Sequence, residues 1–95
     1  MVVLKSKSAI KEHPEVEFRV TVEEYLGTPA EGRMLAMKML HQIAYASMKG
    51  DIGTLQKMYA IIENETFKRG SDSLEKIRNY EDAISGIIYL LQENQ

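Results

Sequence analysis

Ninety-five residues with 44% apolar and 27% charged side chains are enough for a single domain with one core, and a net charge of −2 excludes a nucleic-acid binder that works by bulk positive charge. The absence of cysteine excludes disulfides, thiolate catalysis and cysteine-based zinc sites. The apolar run in residues 1–7 is too short for the core of a signal peptide, and no stretch approaches the ~20 apolar residues of a membrane span, so a cytoplasmic protein is expected.

Residues 2–10 alternate in part, with Val2, Leu4, Ser6, Ser8 and Ile10 on one side and Val3, Lys5, Lys7 and Ala9 on the other. They read as a weak strand or an arm. Lys11-Glu12-His13-Pro14 reads as a turn, because a proline pushes the residue before it out of the helical region. Residues 16–20 alternate cleanly, Val16, Phe18 and Val20 against Glu17 and Arg19, and predict a strand. The two segments form a candidate β-ribbon, which needs helices or another subunit to lie on. Thr21 with Glu24 has the capping-box spacing, predicting a short helical turn that ends at Gly27; a strand continued to Val22 is the competing reading.

Residues 28–66 read as a helical hairpin. Thr28, Pro29 and Glu31 supply an N-cap, a first-position proline and a first-turn carboxylate. The segment from Ala30 to Lys49 is rich in Ala, Leu, Met and Lys, all good helix formers. At 100° per residue, Leu35, Ala36, Met37, Met39, Leu40, Ile43, Ala44, Ala46 and Met48 fill roughly 220° of its circumference. Lys38, Gln42, Lys49, Met34 and Tyr45 share the remainder. A helix resting on one partner needs little more than ~100°, so this one is expected to be covered on two sides, as a central helix or an oligomer contact.

Lys49-Gly50-Asp51 is the predicted turn, with Gly50 as a left-handed cap and Asp51 as the N-cap of the next helix. That helix places Ile52, Leu55, Met58, Tyr59 and Ile62 on one face, leaves Ile61 and Phe67 off it, and ends at Lys68-Arg69-Gly70. The third helix, capped by Asp72 with Glu75, runs from Ser73 to about Gln92. Its core face is Leu74, Ile77, Tyr80, Ile84, Ile87, Ile88 and Leu91. A second stripe, Asn79, Ala83, Gly86 and Leu90, has the small residues that let another backbone approach.

Lys49-Gly50-Asp51-Ile52 with Leu55 and Tyr59 resembles the turn and second helix of a tetratricopeptide-type unit, and Asn79-Tyr80-Glu81-Asp82-Ala83-Ile84 faintly resembles another. The Trp/Leu/Gly/Tyr pattern of the first repeat helix is missing. The hairpin is also similar to helical pairs of phage small-terminase-like proteins. Both resemblances cover fewer than half of the residues and rest on features common to helical hairpins, so the chain is assigned to neither family.

His13 and His41 are the only histidines, and neither has neighbours at the spacing of a triad or a metal motif. Glu23-Glu24 and Glu63 with Glu65 are candidate acid/base pairs, but adjacent carboxylates point apart and the first pair is accounted for as helix N-terminal charge. The glycines follow no phosphate-binding spacing. No catalytic residue, metal ligand or cofactor is therefore expected.

The leading expectation is an α+β protein, mainly helical with a small N-terminal β element: residues 1–27 as β arm and short helical turn, 28–66 as hairpin, 71–94 as C-terminal helix. Its expected function is non-enzymatic association, with itself as a symmetric dimer or higher oligomer, with a larger protein, or both. Met is adaptable at contact surfaces, which points to Met34, Met37, Met39 and Met48, together with Ala83, Gly86 and Leu90. The alternative is a nucleic-acid-binding or DNA-packaging oligomer that uses Lys5, Lys7, Lys11 and Arg19.

Overall fold

The computed structural model describes residues 13–29 and 31–94. Four helices follow in order: α1 (Pro14–Gly27), α2 (Arg33–Met48), α3 (Ile52–Arg69) and α4 (Ser71–Glu93). The arm at residues 2–10, Lys5, Lys7, Lys11 and Ala30 lie outside the described residues.

The expected β element is corrected at residues 16–20, which form part of α1; no strand occurs among the described residues. The alternation of Val16, Phe18 and Val20 spans only five positions. Phe18, Thr21, Val22 and Tyr25 recur at helical spacing, and all four are buried while Val16 and Val20 stay exposed. Pro14 stands at the start of the helix with Glu15 and Glu17 in its first turn, where a missing N–H costs nothing and carboxylates oppose the positive helix end. His13-Pro14 thus opens a helix instead of a turn. Thr21 sits mid-helix and donates its hydroxyl to the Glu17 carbonyl at 3.0 Å.

The second helix starts later than Thr28-Pro29 predicts. Thr28 closes α1, its N–H donating to the Glu24 carbonyl at 3.1 Å, and Gly32, at φ 63°, is the N-cap of α2. The proline that opens a helix is Pro14, and the other lies in the linker.

The turn after α2 follows its prediction. Gly50 has φ 66°; its N–H donates to Ser47 O at 3.0 Å, and the Asp51 N–H donates to Ala46 O at 3.1 Å. This paired closure satisfies the last carbonyls of α2. Asp51 then caps α3, Oδ1 accepting from the Thr54 N–H at 3.1 Å and Oδ2 from the Thr54 hydroxyl at 2.7 Å. Gly70 alone separates α3 from α4, which starts at Ser71 without a side-chain cap; Asp72 lies in its first turn.

Residue burial identifies α3 as the central element, in place of α2. It packs on all three other helices and contributes Leu55, Met58, Ile61 and Ile62 to the core. Phe18, Val22 and Tyr25 enter from α1, Met39, Ile43 and Ala46 from α2, and Ile77 and Ile84 from α4. The faces expected for α3 and α4 are the ones that pack, with Ile61 added to the first. The described residues measure 39 × 38 × 21 Å, a slab about two helices thick. In such a slab each outer helix is covered on one side, which is why α2 buries only half of its apolar arc.

Candidate functional site

The outward half of α2 is the feature the fold leaves unexplained. Met39, Ile43 and Ala46 face the core, and Leu35, Ala36 and Gln42 lie at its margin. Opposite them, Met34 (80% exposed), Met37 and Met48 (85% exposed) project with His41 and Tyr45. Those five fall within about 80° of arc at 100° per residue. Leu40, expected in the core, is half exposed on the neighbouring arc beside the exposed Ala44. Met39, expected at an interface, is fully buried. Both corrections have one cause: α1 and α3 sit against the Met39–Ile43–Ala46 side, and nothing among the described residues covers the other.

Where α1 meets α2, the Met face becomes a groove of about 600 Å³. Pro14 and Glu17 form one wall, and Met34, Met37, Lys38, His41 and Tyr45 the other. Gln42 stands at the groove margin. Its Nε2 donates to Thr21 Oγ1 at 3.1 Å, while its Oε1 is buried with no hydrogen-bond partner among the described residues.

The charge of this helix has one sign. From Arg33 to Lys49 there is no Asp or Glu, while Arg33, Lys38 and Lys49 are cationic. Arg33 is paired with Glu31 at 3.0 Å, and Lys49 stands 4.9 Å from the Tyr45 ring centroid.

On α4 the stripe read from the sequence is also outward. Ala83 and Gly86 are exposed, Leu90 and Tyr89 more than half so, and a Cβ added at Gly86 meets nothing within 4 Å. The close approach this glycine permits is not used among the described residues. Phe67, at the end of α3, is 90% exposed.

The remaining candidates disperse. Arg19 is exposed on α1, beside a shallow cleft shared with Glu15 and Lys57. His13 precedes α1 and lines a cleft with Gln42, Tyr45 and Lys49, whereas His41 lines the Met groove. Glu23 and Glu24 lie in the last turns of α1, not at a helix N-terminus as expected. Glu65 is buried and pairs with Lys68 at 3.6 Å and Arg69 at 3.5 Å, a structural use, whereas Glu63 is exposed. Burial, then Glu63 and Asp82, push the Glu81 carboxyl above its ordinary range. No group of three His, Asp or Glu able to hold a metal occurs among the described residues, and none of their helices is long and apolar enough to cross a membrane.

Sequence reasoning missed Leu40 as a surface residue, whereas Met34 and Tyr45 are exposed on the arc the sequence left outside the apolar face. The signal was present: an apolar arc of roughly 220°, twice what one packing face uses. Compared with family models, curated proteins and solved structures, the chain matches none.

Proposed function

We propose that this protein is a non-enzymatic association module that binds a protein chain, its own or another, through the outward face of α2. One observation carries the reading: Met34, Met37, Tyr45 and Met48, all at least half exposed, line one face of one helix. Scattered exposed apolar residues are normal on a soluble domain, but a contiguous stripe joined to a groove marks a contact surface. Methionine suits that use because its unbranched thioether adapts to the surface it meets. The nucleic-acid alternative draws less support: Arg19 shares its cleft with one further cation, Lys57, and one carboxylate, Glu15, which does not amount to a basic stripe.

The test is a photo-crosslinking residue in place of Met37 in the full chain, with the same residue at the exposed Gln56 of α3 as control. Illumination in cells should give a discrete protein adduct from position 37 and none from position 56. No adduct at position 37 would overturn the reading.

A further inference from the structure

We infer that the outward face of α2 takes a second copy of this chain, seated on the outward face of α4, so that copies associate head to tail. The inference rests on the association reading above and names its occupant.

The two faces differ in sign. At 100° per residue, Asp72, Glu75, Asp82 and Glu93 share one arc of α4 about 80° wide, and all four are exposed. Arg78 stands at the edge of that arc. No cation falls within it. The α2 face carries Lys38 and Lys49 beside its methionines; the carboxylates near them, Glu17 at the groove wall and Asp51 in the cleft lined by Lys49, belong to neighbouring elements. The α4 arc repels its own copy, which disfavours a symmetric contact of α4 on α4, and it attracts the lysines of α2.

They also differ in relief. The α2 face is built of long side chains, Met34, Met37 and Met48. On α4 the carboxylates flank Gly86 and Ala83, a low strip with nothing near the missing Cβ and with Leu90 one turn on. Long flexible thioethers fit over a low strip, and two low strips or two Met ridges fit each other less well. The inferred contact is the heterologous one, in which each added copy presents a fresh α2 or α4 face, and not a two-fold dimer that closes both faces at once. Assemblies larger than a dimer are therefore its signature.

Light scattering of the full chain, with two face variants, tests this. Met37→Glu with Met48→Glu closes the α2 face; Gly86→Arg with Leu90→Lys closes the α4 face. All four positions are exposed, and circular dichroism checks that helicity is kept. The parent should have a mass above twice 10.8 kDa at high micromolar concentration, falling as salt rises. Each variant alone should run as a single chain, and their equimolar mixture should give a 1:1 dimer, the one contact still open.

A parent that is monomeric or stops at a dimer, or a mixture that stays at single-chain mass, would overturn the inference. Parental mass in the α4 variant alone would mean that α2 pairs with its own copy, so the association reading stands and the head-to-tail contact does not. Parental mass in the α2 variant would remove both. An adduct at position 37 to a different protein, with none to the chain itself, would also leave only the broader reading. A second pair reads the same contact through charge alone. Lys38→Glu with Lys49→Glu, and Glu75→Lys with Asp82→Lys, should each weaken assembly, and mixing them should restore masses above a dimer.

Discussion

Lys76 and Tyr25 hold each other across 51 positions of sequence. The Lys76 ammonium donates to the Tyr25 carbonyl at 2.8 Å and lies 4.7 Å from the centre of its ring, while the Tyr25 hydroxyl donates back to the Lys76 carbonyl at 3.4 Å. The same ammonium donates to the Thr28 carbonyl at 2.7 Å. The last turn of α1 has no basic residue of its own and carries Glu23 and Glu24 close by, so α4 supplies the cation that this helix end favours. Lys76→Met should cost about 1.5–3 kcal/mol in urea unfolding, the range for hydrogen bonds made by a charged group.

Tyr25 also predicts how stability responds to alkali. Burial chiefly, then Tyr80 and Glu31, raise its phenol above the ordinary value of about 10. The folded chain keeps that proton to higher pH than the unfolded chain does. The contribution is therefore complete below about pH 10 and is lost as pH rises through the raised value. Tyr25→Phe should flatten the alkaline limb of the stability curve, measured by urea midpoints between about pH 8 and pH 11.

At the turn between α2 and α3, Gly50→Val should destabilise by about 1–2 kcal/mol. A Cβ there meets no atom within 4 Å, so the cost arises from the backbone at φ 66° alone. One residue on, Asp51→Ala should cost about 1 kcal/mol near neutrality. Hydrogen bonds from Thr54 lower the Asp51 carboxyl below its ordinary range. Its contribution is present above about pH 4 and fades as pH falls through the lowered value, so parent and Asp51→Ala stabilities should converge in acid.

The two sides of α2 should respond differently to truncation. Met39→Ala empties a fully buried position and should cost about 2–5 kcal/mol. Leu40→Ala removes a half-exposed side chain and should cost no more than about 1 kcal/mol. Equal shifts in chemical denaturation would mean that the helix is rotated from the orientation described.

Thr21 and Gln42 should behave as a coupled pair. Thr21→Val removes the acceptor of the Gln42 Nε2 and leaves a partly buried amide unpaired, at about 1–2 kcal/mol. Thr21→Val combined with Gln42→Leu should recover most of that loss, because no orphaned group remains. A double-mutant cycle measures the difference directly.

Local chemistry explains which of these features were legible in the sequence. The Gly50 turn, the Asp51 cap and the packing faces of α3 and α4 depend on residues within a few positions of one another, and the sequence by itself determined them. Two features depend on what lies across the fold. Residues 16–20 alone fit a strand period; helical spacing appears only when Phe18 is read with Val22 and Tyr25, and the burial of those three against the other helices decides for the helix. On α2 the apolar arc is too wide to state its own orientation. Only the placement of α1 and α3 sends Met39 inward and leaves Met34, Met37 and Met48 in solvent, because a slab two helices thick can bury one face of each helix and no more.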